Sequence, residues 1–178
     1  MNHVTLEDVK VETYTTLQAQ DYDYLHVKKS SIQGVGLFTS QYIPAETILF
    51  RLSGRVVYRE YAPQYAPENP NWMGMGFEQW LEIEKGDTGV YANHSCKPNV
   101  LVNEHMEFVS IRPIQKDEEL LLDYSTTELD PYWSMKCSCG EKSCRKTLLS
   151  FQYLPVHLQK HYSRFLSPAI LNGSSVTF

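Results

Sequence analysis

The chain has 178 residues, of which 42% are apolar and 21% charged, the balance and length of one globular domain with a core of its own. A net charge of −5 excludes a nucleic-acid binder that works through a basic face, and is compatible with a basic peptide partner. No basic region leads into an apolar run at the start, and no apolar run approaches the length of a membrane span. The expectation is a soluble, intracellular protein without a membrane partner.

In chain order, residues 1–23 carry no motif and read as an extension. Tyr24 to Lys28 alternates as a strand does, and Ser30 to Phe38 is a glycine-punctuated turn entering an apolar segment. Thr47 to Leu52, Gly54, and Val56 to Tyr58 read as strand, break and strand. Residues 59–72, with Pro63, Pro67 and Pro70, read as a loop or insert. Met75 to Ile83 has the look of strands bent at Gly76, followed by a turn at Gly86-Asp87. Val100 to Val102 and Met106 to Ile111 form a hairpin around Asn103-Glu104-His105. Asp117-Glu118-Glu119 reads as a solvated turn running into a short strand that ends at Leu122. Pro155 opens a helix over 155–166, with Leu158, Tyr162, Phe165 and Leu166 on one face and Pro168 as its stop. The fold class is mainly β with few helices, one of them C-terminal.

Twelve tyrosines exceed what this length usually carries, and suit a binding cleft as well as a half-wet sheet surface. Four cysteines without an export signal favour metal over disulfides. Cys137, Cys139 and Cys144 lie within eight residues, and Cys96 is the one remote thiol available to complete four. A closed four-thiolate set suits tetrahedral structural zinc, against the alternative of four free thiols. Gly34-Val35-Gly36 lacks the third glycine of a dinucleotide fingerprint. By itself it is a turn that lets a ligand approach backbone amides.

Four segments together resemble the SET-domain protein-lysine methyltransferases, over about residues 24–150. They are Gly34-Val-Gly-Leu-Phe38, Asn93-His-Ser-Cys-Lys-Pro-Asn99, Asp117-Glu-Glu-Leu-Leu-Leu-Asp-Tyr124, and the tail Cys137-x-Cys139-x4-Cys144. The resemblance implies small sheets of β-clip type around a knot-like crossing of residues 93–99 and 117–124. It also implies a domain core over 24–126, a post-SET zinc segment over 127–150, and a C-terminal helix and tail over 151–178 that covers part of the active face.

By the same resemblance, Gly34, Val35, Gly36, Asn93 and His94 hold S-adenosylmethionine, Tyr124 is the active-site tyrosine, and Cys96, Cys137, Cys139 and Cys144 hold zinc. Leu52, Tyr91 and Leu122 are implied to line the substrate channel. Three positions depart from the family pattern: Leu122 and Leu52 stand where aromatic rings are usual, and Val90 where arginine is. Asp117 replaces a glycine in a turn. The implied activity is methyl transfer to the ε-amine of lysine in a protein, with the number of methyl groups open at Leu122. Taken alone, His94 reads as a hydrogen-bonded loop histidine and Tyr124 as a strand-end ring. The alternatives are a catalytically degenerate SET fold that binds peptides, and an enzyme for some other amine.

Overall fold

The structure is a computed structural model that describes residues 11–12, 22–58, 71–76, 79–166 and 170–171. The expected stop at Pro168 and most of the 59–72 insert lie outside them.

Alternation and unbroken apolar runs sort the strands into sheets. The run Val100-Leu101-Val102 is buried on both faces, and it forms β9 (Val100–Val102) at the centre of a mixed five-stranded sheet. β10 (Glu107–Ser110) returns antiparallel to it and continues into β4 (Ile48–Arg51), as the expected hairpin requires. Phe108 of β10 is fully buried and stacks on Phe50 of β4 with ring centroids 4.4 Å apart. Side chains of this size contribute roughly 1.5–3 kcal/mol each when removed from water.

The far side of this sheet holds the crossing. β8 (Asn93–His94) and β9 flank β11 (Leu121–Leu122), which lies between them and parallel to both. Asn99, fully buried, pins the junction: its Oδ1 accepts the Leu121 N–H at 2.7 Å and its Nδ2 donates to the Glu119 carbonyl at 2.7 Å. Those two bonds satisfy buried backbone groups beside these short strands.

A second sheet joins β1 (Val11–Glu12), β5 (Gly54–Tyr58), β7 (Gln79–Ile83) and β6 (Trp72–Gly76) in that order, all antiparallel. Val11–Glu12, from the stretch read as an extension, therefore belongs to a sheet, and Trp72, read as loop, opens a strand. β2 (Leu25–Lys29) and β3 (Val35–Thr39) form a hairpin, and β12 (Ser134–Lys136) and β13 (Thr147–Leu149) form another in the cysteine-rich tail.

The helix α1 (Val156–Tyr162) begins after Pro155 as expected but ends a turn early. Past Tyr162 the backbone tightens, with the Phe165 N–H bonding the Tyr162 carbonyl at 2.9 Å. Phe165 and Leu166 still pack on the core, which is why apolar spacing continued beyond the helix. Asp117 has a φ of 65°, so the left-handed turn explains why glycine suits that position. An aspartate there bears a strain of roughly 1 kcal/mol. No helix of the described residues is long and apolar enough to cross a membrane.

Candidate active site

β3, β8 and the β11 turn bring the first three signature segments together. Gly34 and Val35 lie beside Asn93, whose Nδ2 donates to the Gln33 carbonyl (3.2 Å), the Val35 carbonyl (2.9 Å) and Glu119 Oε1 (2.8 Å). Three oxygens around one nitrogen fix the amide orientation and leave Oδ1 as the outward acceptor.

Glu119 corrects the expectation of a solvated acidic turn. Asp117 stays exposed at the left-handed turn and Glu118 pairs with Arg112 at 2.6 Å, while Glu119, bridged to Phe38 of β3, turns inward to 8% exposure. There its Oε2 accepts from Ser30 Oγ at 2.9 Å. It also explains Gly36, where a Cβ would overlap the Glu119 carboxylate. Gly34, in contrast, is needed for its φ of 51°.

Two cavities flank Tyr124. The larger, 360 Å³, is lined by Gly34, Val35, Asn93 and His94 together with Met135, Lys136 and the Cys137–Cys139 turn. Its size is within the range of small-molecule sites, roughly 300–1,000 Å³. Four of the five residues expected to bind cofactor line it; Gly36 is buried under Glu119 instead. The smaller cavity, 260 Å³, is lined by Leu122, Ala92, Val90, Ile83, Trp72, Trp133 and Glu128, among others. Of the expected channel residues only Leu122 lines it. Leu52 is 4% exposed and fills the space beneath Gly89, and Tyr91 packs on the core at the end of the 3₁₀ turn Thr88–Tyr91. Contrary to expectation, no residue of α1 lines either cavity.

Tyr124 and Met135 line both cavities. The Tyr124 hydroxyl donates to the Ala92 carbonyl at 2.9 Å, and burial, aided by the Glu119 charge, raises its pKa above the ordinary phenol value. It stays a phenol at neutral pH.

Beside this site, Cys96 and Cys137 place their sulfurs 3.8 Å apart, and Cys137 and Cys144 place theirs 3.6 Å apart. Tetrahedral zinc with Zn–S bonds of about 2.3 Å sets neighbouring sulfurs roughly 3.8 Å apart, so these two separations fit that ion. The donor atoms that all lie within 4.8 Å of one another are those of His94, Cys96, Cys137 and Cys139, and Cys144 joins them through Cys137. His94 Nδ1 accepts the Tyr124 N–H at 3.2 Å, so the hydrogen of the neutral ring sits on Nε2, 3.4 Å from the Cys96 sulfur. Burial lowers the ring's pKa to about 4 and keeps it neutral. His94 is thereby suited to donate to a Cys96 thiolate rather than to ligate.

An ion pair that the motifs did not reveal ties the tail to the site. Arg145, next to Cys144, bonds the fully buried carboxylate of Asp123, next to Tyr124, with Nη1 to Oδ2 at 2.7 Å. Its backbone N–H also points at the Cys96 sulfur at 3.4 Å. The sequence signal was no more than an arginine after the last cysteine, with 22 residues separating the partners.

Two cavities thus share the Tyr124 and Met135 side chains as lining. The profile of the SET domain matches residues 34–125, and this chain belongs to that family. It is 31% identical over 146 residues to a histone-lysine N-methyltransferase, H3 lysine-36 specific, of Cryptococcus neoformans, which covers 72% of this chain and 17% of the relative. It is 29% identical to the histone-lysine N-methyltransferase trithorax of Drosophila virilis over 76% of this chain and 4% of the relative. Against human histone-lysine N-methyltransferase 2D the identity is 27%, over 77% and 3%. The chain thus spans less than a fifth of the length of these relatives.

Proposed function

We propose that this chain is an S-adenosylmethionine-dependent protein-lysine N-methyltransferase. The observation that carries the reading is the position of Tyr124, a residue that lines both a small-molecule cavity and the second cavity beside it. The 360 Å³ cavity suits the cofactor: Asn93 Oδ1 is an outward acceptor for an ammonium group, and Lys136 is the one formally charged residue of its described lining, a partner for a carboxylate. When bound there, the cofactor supplies an electrophilic methyl group on a sulfonium. The chain contributes alignment, which is most of what an in-line displacement requires. The 260 Å³ cavity receives the lysine, and Leu122, Ala92 and Ile83 desolvate its amine, favouring the neutral form that attacks. Tyr124, its hydroxyl hydrogen-bonded to the Ala92 carbonyl, leaves its oxygen lone pairs for the amine and the methyl group.

Cys96, Cys137, Cys139 and Cys144 hold a structural zinc, which orders residues 127–150 against the wall of the cofactor cavity. The names of the relatives make a histone the first protein to try as substrate.

Calorimetric titration with S-adenosylmethionine, repeated on Asn93→Ala, tests the cofactor site. Saturable binding that weakens about tenfold or more in the variant is expected, the scale of a lost hydrogen bond to a charged group. Radiolabel transfer to histones and lysine peptides then tests the activity. Binding without transfer to any of them would restore the degenerate, peptide-binding reading.

A further inference from the structure

Glu128 follows the 3₁₀ turn Tyr124–Thr127 and is 8% exposed, yet among the described residues no cation faces it. Its carbonyl accepts the Phe151 N–H at 2.8 Å, its Oε1 accepts the Asp130 N–H at 2.8 Å, and the nearest charge acting on it is Asp130, of the same sign. The turn that presents it is held from behind by Gly74, where a Cβ would overlap the Thr127 carbonyl. Glu128 lines the 260 Å³ cavity, and it is the one charged residue among the described residues that do so. The cavity on the other side of Tyr124 has the opposite character, with Lys136 in its lining.

A carboxyl this deep carries a desolvation cost that the Asp130 and Leu129 backbone N–H groups offset only in part, and that an entering cation offsets further. Trp72 and Trp133 line the same space and add ring surface of the kind that attracts ammonium groups. We propose that Glu128 makes the smaller cavity selective for a cation and holds the ε-ammonium of the substrate lysine as it enters beside Tyr124, ahead of the proton loss that attack requires. The inference rests on the lysine reading for its ligand and on Glu128 for its mechanism. Burial pushes the empty-site carboxyl up to about 7, consistent with a group that lacks its partner until substrate arrives.

The test needs no turnover. The wild-type protein, loaded with S-adenosylmethionine at pH 8, is titrated with Nα-acetyl-lysine methylamide and with its uncharged counterpart Nα-acetyl-norleucine methylamide, and binding is followed by NMR. A preference of about tenfold or more for the cationic probe is expected, the scale of one hydrogen bond to a charged group. In Glu128→Gln the two probes should bind within about twofold of each other, as they should in Glu128→Met, which fills the same space without charge and serves if the glutamine variant does not fold. Equal binding of both probes to the wild type overturns the proposal, as does a variant that keeps the preference. A protein that prefers the cation through Glu128 but methylates no lysine would sink the transferase reading and leave this one standing.

Discussion

Tyr124→Phe is expected to slow methyl transfer by about 10²–10³-fold while S-adenosylmethionine binds within about twofold of wild type, the scale of removing one pre-positioned polar group at a reacting centre. The substitution keeps the ring, which packs with its centroid 5.3 Å from that of His94, and deletes only the hydroxyl bonded to the Ala92 carbonyl. The carbonyl left behind is at the cavity wall, so its lost partner is replaceable by water and the fold should tolerate the change. Since burial raises the phenol's pKa above its usual value, the wild-type rate should show no loss from tyrosine ionisation across the neutral range. A rate in the variant within a few-fold of wild type would remove Tyr124 from the chemistry. A parallel loss of cofactor affinity would assign it a packing role instead. Single-turnover transfer from radiolabelled cofactor, beside calorimetry on the same preparation, separates the three outcomes.

The parts of this site that were legible in the sequence are those whose chemistry lies in contiguous residues. Asn93-His94 and Cys96 sit on one short strand and its exit, and Cys137, Cys139 and Cys144 lie in one short tail segment, so the cysteine cluster was visible in the spacing and the rest in the motif resemblance. Alternation likewise gave the β9–β10 hairpin and both strands of the second sheet around Gly76. What stayed hidden depends on which side of the backbone a residue faces, or on pairing across long separations. Glu118 and Glu119 look alike in sequence, and only the pairing of their segment with β3 decides that one meets Arg112 and the other Gly36. Leu52 is adjacent to the right strand but one layer too deep, because Gly89 leaves a gap that its side chain fills. Glu128 belongs to no motif, and its burial follows from the closeness of Gly74 to the Thr127 backbone. The helix end was misplaced because Phe165 and Leu166 keep the apolar period while the backbone has already left it.

Metal removal and Arg145→Ala should both act on the active site through the same seam. Asp123 is fully buried, and its Oδ2 accepts from Arg145 Nη1 at 2.7 Å while the Ser125 N–H reaches Oδ1 at 3.2 Å. Deleting the guanidinium leaves a carboxylate in the core, a loss of about 3–5 kcal/mol, or roughly 6–20 °C in Tm for a domain of this size. Because the cost is that of the orphaned charge, Asp123→Asn combined with Arg145→Met should be less destabilised than Arg145→Ala alone. If the double variant is the worse of the two, the pair stabilises by attraction beyond its desolvation, and the argument from the orphaned carboxylate fails. Purified protein should carry about one zinc per chain by elemental analysis, and extraction by a strong chelator should lower Tm further than Arg145→Ala, since structural zinc stabilises small sites by about 10 kcal/mol or more. Cofactor affinity should fall with it, because the Cys137–Cys139 turn forms part of the cofactor cavity and the His94 ring joins the Cys96 sulfur to the Tyr124 N–H. Protein that purifies without metal and binds S-adenosylmethionine unchanged would show that the four cysteines are thiols in contact, and that Arg145 and Asp123 alone hold the tail in place.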